Sequence, residues 1–108
     1  MVTLNDRERA FEAKFANDQE AKFRLSARRN RMFAEWAAAK LGLADAKVAA
    51  FIDEVIVSDL AEPGDADILG KVKADFDRAS ITITEDELIQ QLTLAEGKAQ
   101  ASLLEETS

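Results

Sequence analysis

Carboxylates dominate the ionisable groups of this sequence: of its 108 residues, 21 are Asp or Glu and 14 are Lys or Arg. Histidine and cysteine are absent. That removes imidazole acid–base catalysis, thiolate chemistry, disulfides and the usual zinc-ligand sets. Nucleophilic chemistry would have to rest on Lys or Ser, and no supporting motif accompanies them. The acid groups Asp53-Glu54, Asp75/Asp77 and Glu85-Asp86-Glu87 fall on expected solvent faces or at helix starts, where the helix dipole favours negative charge. The sequence therefore predicts a protein that is not an enzyme.

Two stretches invite comparison with ligand-binding loops, and both fail. Between Gly64 and Gly70 lie five residues where a phosphate-binding loop has four, and Val72 rather than Ser or Thr follows Lys71. Asp65 and Asp67 would also repel a phosphate. Asp65, Asp67 and Gly70 mimic three positions of a calcium loop, but Leu69 and Phe76 then stand where oxygen ligands are required. The expectation is that no metal is bound. The weaker candidate is a loose acidic cation site at Asp59, Glu62, Asp65 and Asp67, since oxygen ligands suit hard cations.

Recognition chemistry is better represented. Arg24, Arg28 and Arg31 share a helical stripe at spacings of four and three, with Glu35 four beyond Arg31. They form either a solvated basic face or a contact face for an acidic partner. Arg29 lies elsewhere, with Phe33 and Trp36 on its own face; stacking on Trp36 or pairing with a carboxylate are both open to it. Phe11 and Phe15 form an i, i+4 aromatic pair among charges. They are either core of a longer first helix or anchors of a helix that docks into another protein's groove.

The elements carrying these groups are helices. Ala, Leu, Glu, Lys, Arg and Gln recur, with only four Gly and one Pro. Residues 3–16 make a thin amphipathic segment with Leu4, Phe11 and Phe15 on one stripe, marginal as an isolated helix. Asn17, with Glu20 three residues on, is the expected cap of a helix ending at Gly42, with Leu25, Met32, Phe33, Trp36 and Ala37 on its apolar side. The alternative is one unbroken helix from Thr3 to Leu41, unusually long for a small domain. Asp45 is the expected cap of the next helix, which carries Val48, Phe51, Ile52, Val55, Ile56 and Leu60 and stops at Pro63-Gly64. Asp65 is the expected cap of the third, which carries Ile68, Leu69, Val72 and Phe76. Ser80–Ile83 alternates like a strand but has no second strand to pair with, so its isoleucines are expected to plug a bundle end. Thr84 with Glu87 is a capping box for the last helix. The fold class is therefore all-α. Residues 18–106 are expected to form a small four-helix bundle, and residues 1–17 a mobile, partly helical N-terminal extension.

Charge is distributed unevenly. Residues 1–40 hold nine Lys/Arg and six Asp/Glu, a net +3, whereas the remainder is −10. The acidic body argues against nucleic acid as partner. No run approaches the roughly 18 apolar residues of a spanning helix, and no export signal is apparent, so a cytoplasmic, monomeric protein without membrane insertion is expected.

Asp6-Arg7-Glu8-Arg9-Ala10-Phe11-Glu12-Ala13-Lys14-Phe15-Ala16 resembles the N-terminal signature of the zeta subunit of alphaproteobacterial F-type ATP synthases. Ala27-Arg28-Arg29-Asn30-Arg31, Glu35-Trp36-Ala37-Ala38 and Ser58-Asp59-Leu60-Ala61-Glu62-Pro63-Gly64-Asp65 look like its later blocks, in order. The resemblance is weakest after about Ala79. It implies a small inhibitor of ATP hydrolysis by the enzyme's soluble catalytic sector, built as a four-helix bundle with an inhibitory N-terminal extension. The extension would enter a catalytic αβ interface near the γ stalk, become helical and block rotation in the hydrolytic direction. Phe11 and Phe15 would then be apolar anchors, with Leu4 as a third, and Asp6, Arg7, Glu8, Arg9 and Lys14 would pair around them. Arg24, Arg28 and Arg31 would be a secondary basic face. The α, β and γ subunits are the implied partners, placing the chain on the inner face of the plasma membrane when bound. Some members of that family are associated with weak adenine-nucleotide binding; no phosphate loop accompanies it here, and no cofactor is expected. The competing reading is a stand-alone helical adaptor or small-molecule-binding bundle, in which Phe11 and Phe15 pack as core.

Overall fold

A computed structural model describes residues 9, 10, 13, 18–61 and 65–106. The side chains of residues 59–61 are not among those described. Four helices account for almost all of these residues: α1 (Gln19–Leu41), α2 (Asp45–Ala61), α3 (Ala66–Arg78) and α4 (Glu85–Glu106). No strand forms among the described residues. Short connections set successive helices antiparallel. Neighbours in sequence pack together, and α1 closes the bundle against α4.

Capping residues fix the ends. Asp18 is the N-cap of α1: its backbone is extended and its Oδ1 accepts from the Ala21 N–H at 3.0 Å. The expected cap, Asn17, lies outside the described residues, and the cap falls one position later. Both residue types cap well, but the ionised carboxylate of Asp18 also faces the positive end of the helix dipole. Gly42 ends α1 in the left-handed region at φ 69°, and the Leu43 N–H returns to the Ala38 carbonyl at 3.2 Å. That is the conformation in which glycine carries no Cβ penalty.

Asp45 is the first residue of α2, not its cap; the Lys47 N–H bonds to the Ala44 carbonyl at 2.8 Å, so Ala44 holds the entry. An acid in the first turn is favoured by the dipole even without a capping bond. Asp65 does stand at the N-cap of α3, but its side chain makes no capping bond. The Glu87 N–H donates to Thr84 Oγ1 at 3.1 Å, forming the hydroxyl half of the expected capping box.

The core comes from every element. Phe33, Ala34, Ala37 and Ala38 of α1 meet Phe51 and Val55 of α2, Ile68, Val72 and Phe76 of α3, and Leu88, Leu92 and Ala95 of α4. Fully burying a side chain the size of Leu or Phe is worth roughly 1.5–3 kcal/mol. Alanines on α1 let its neighbours approach closely, while the phenylalanines fill the space between layers. Trp36 is only partly buried. It stacks on Phe33 with ring centroids 5.7 Å apart and tilts against Phe76 at 5.7 Å. Residues 81–84 have no regular structure, and Ile83 is buried with Ile81 packed beside it, so the connector plugs the bundle as expected.

Candidate partner-binding surface

Of the residues assigned to the extension, Arg9 is helical and exposed, as are Ala10 and Ala13. Leu4, Asp6, Arg7, Glu8, Phe11, Lys14 and Phe15 lie outside the described residues.

The first half of α1 holds the arginine group, and each member meets a different environment. Arg24 pairs with Glu20 at 2.7 Å and Arg31 with Glu35 at 3.3 Å, both as exposed i, i+4 pairs along the same helix. Such pairs hold little free energy and exchange readily with other partners. Arg28 instead reaches across to α4, donating to Ser102 Oγ at 2.8 Å and Glu106 Oε1 at 2.7 Å. It therefore ties the end of α4 to α1. Arg29 is the least exposed of the four, at 12%, and its guanidinium sits 3.1 Å from Asp65 at the entry to α3. Of its two expected roles, carboxylate pairing is realised, and the partner is the residue expected to cap α3. Trp36 stacks with phenylalanines instead.

Lys71, tested above against the phosphate loop, lies within α3 and is engaged by carboxylates. Its ammonium is 3.2 Å from Glu54 of α2 and 2.8 Å from Asp75, and 5.8 Å above the Phe51 ring. Asp75 was expected on a solvent face. It is only 13% exposed and is held by Lys71 and Arg78. Desolvating a carboxylate this far requires such cationic partners. Among the described residues, no group of three or more acids is placed to hold a metal ion. The side chains of Asp59 and Glu62, half of the loose cation site, lie outside them.

The surface also carries features that the hydrophobic periodicity did not single out. Phe23 stands 68% exposed on α1, and Val57 and Leu94 are exposed on α2 and α4. Phe23 falls eleven residues before the fully buried Ala34, close to three turns, so both lie on one helix face. A cavity of about 280 Å³ opens between α1, α3 and α4, with Leu69, Ile89 and Leu92 as walls and the Arg29–Asp65 pair at its rim.

A family model described as ATPase inhibitor subunit zeta matches residues 1–102, nearly the whole chain. The chain belongs to this zeta family. Membership places it among ATPase inhibitor subunits, whose partner is the F-type ATP synthase. None of the curated proteins matches it. The match includes the N-terminal residues that carry Phe11 and Phe15, as well as the first three helices and α4 as far as Ser102. No helix among the described residues is long and apolar enough to cross a membrane.

Proposed function

We propose that this chain inhibits ATP hydrolysis by the soluble catalytic sector of the F-type ATP synthase through its N-terminal residues 1–17. The segment inserts as a helix at a catalytic αβ interface, near the γ stalk, and blocks rotation in the hydrolytic direction. Phe11 and Phe15 seat in apolar pockets, with Leu4 as a third anchor. Asp6, Arg7, Glu8, Arg9 and Lys14 pair with charges around them. The complex sits on the inner face of the plasma membrane, where the catalytic sector is exposed to the cytoplasm.

The observation that carries this reading is the family match from residue 1 onward. A second observation supports the division of labour: every residue of the described core cluster lies between Phe33 and Ala95. The apolar core cluster of the bundle thus lies outside the part assigned to inhibition. Binding by an amphipathic helix with i, i+4 aromatic anchors is a common recognition mode, and truncating such an anchor at an interface centre typically costs about 2 kcal/mol or more.

Deletion of residues 1–17 tests the proposal. ATP hydrolysis by the purified catalytic sector is measured against full-length and truncated chains. The truncated chain should fold, by its helical circular dichroism, and should fail to inhibit. Undiminished inhibition by the truncated chain would remove the N-terminal segment from the mechanism.

A further inference from the structure

An exposed aromatic residue lies inside α1, beyond the segment proposed to inhibit. Phe23 is 68% exposed, although it shares its helix face with Asn30 and Ala34, which are buried. The same face is therefore covered at its C-terminal end and open at its N-terminal end. One turn to either side of Phe23, the residues Gln19, Glu20, Ser26 and Ala27 are all exposed. Most of the ring is open to solvent.

A single exposed apolar residue is ordinary on a protein surface. Val57 and Leu94 are of that kind. Phe23 differs in its surroundings and its place. Residues 18–31 hold five cations, Lys22, Arg24, Arg28, Arg29 and Arg31, against two acids, Asp18 and Glu20, in a chain whose net charge is −7. Within this basic stretch Phe23 also lies eight residues after Phe15, and so continues the aromatic series begun by Phe11 and Phe15. The cations Lys22, Arg24 and Arg31 are exposed, and among the described residues Arg24 and Arg31 are held by exposed pairs that a partner's carboxylates can replace.

We infer that Phe23, flanked in sequence by the exposed cations Lys22 and Arg24 and followed about two turns along α1 by Arg31, is a second anchor for the ATPase catalytic sector, fitting an apolar pocket with an acidic rim. The inference rests on the inhibitory reading above and extends it: the binding surface continues past residue 17 into the folded bundle. An aromatic ring presented by a helix that is already folded loses little conformational freedom on docking. The basic rim raises the rate of encounter with an acidic surface. Phe23 thus sets the register in which residues 1–17 are delivered.

The test compares full-length wild type, Phe23→Ala and Val57→Ala as inhibitors of ATP hydrolysis by the purified catalytic sector, with thermal unfolding of each. The expected result is a loss of inhibitory potency of about tenfold or more for Phe23→Ala. Val57→Ala should match wild type, and all three should unfold at the same temperature. Equal potency of Phe23→Ala and wild type overturns the inference, and so does an equal loss in both variants. A clear fall in unfolding temperature for Phe23→Ala also overturns it, since the ring would then be packed in the bundle. Wild type that fails to inhibit removes the inhibitory reading itself, an outcome distinct from the others.

Discussion

The two halves of α1 share a helix and almost nothing else. From Phe33 onward it buries Phe33, Ala34, Ala37 and Ala38 among three neighbouring helices. Before that point only Ala21 and Asn30 are buried, and the exposed positions hold Lys22, Phe23, Arg24 and Arg31. Small residues in the second half permit close helix packing; in the first half Lys22, Arg24 and Arg31 stay in water, while Arg28 and Arg29 reach α4 and the start of α3 through ion pairs. One rigid element therefore anchors itself at one end and presents charge and an aromatic ring at the other. Such a helix transmits the bundle's position to whatever its first turns contact.

The comparison breaks most visibly at Phe33. It has no exposed surface and stacks on Trp36. Phe33→Ala should cost about 3–5 kcal/mol, a large part of the stability of a domain this size. Urea unfolding followed by circular dichroism measures it. A loss under about 1 kcal/mol would mean that the second half of α1 does not anchor the bundle. The next largest effect is at Arg29, the cation of the first half that faces inward. Arg29→Ala removes the ion pair with Asp65, which is half-exposed, and should cost about 1 kcal/mol, at the upper end for a pair open to solvent on one side. A double-mutant cycle with Asp65→Ala should recover part of that loss as coupling. Additivity of the two changes would show that Arg29 acts through other contacts.

Of similar size is the effect of the cap. Asp18→Ala leaves the Ala21 N–H without its 3.0 Å acceptor and should cost about 1 kcal/mol. In a domain near this size that lowers the unfolding midpoint by roughly 4–8 °C. An unchanged midpoint would mean that α1 is held entirely from its second half, with its first turn free to fray.

How much of this was legible beforehand depends on the range of the interaction. Gly42 and Thr84 act on backbone groups within a few residues, and both perform the roles read from the sequence. The four amphipathic stripes gave the bundle, because burial of an apolar face is a property of the helix itself. Asp75 was misplaced on the surface, since nothing local reveals that Lys71 and Arg78 converge on it. Arg29 could be seen to face inward, but Asp65 is its partner only because α3 begins beside α1. Phe23 went unassigned for a related reason. Helical period says which face a residue occupies; it cannot say where along that face the neighbouring helix stops. For the proposed N-terminal anchors, the legible part was the family signature around Phe11 and Phe15, not a geometry.

The smallest effect should come from Arg31, and it separates the two roles a charge can have on α1. Its pair with Glu35 is 3.3 Å long, and both side chains are more than half exposed. Water screens the attraction, and holding two long side chains together costs rotamer freedom, so Arg31→Ala should change stability by less than about 0.5 kcal/mol. The same substitution removes one of the exposed cations of the basic stretch that carries Phe23. It should therefore slow association with the catalytic sector, most at low ionic strength, while leaving the unfolding curve where it was. Stopped-flow measurement of inhibition onset at two salt concentrations distinguishes this from a structural role. A stability loss above about 1 kcal/mol with an unchanged onset rate would assign Arg31 to the bundle and erase the contrast between the two halves of the helix.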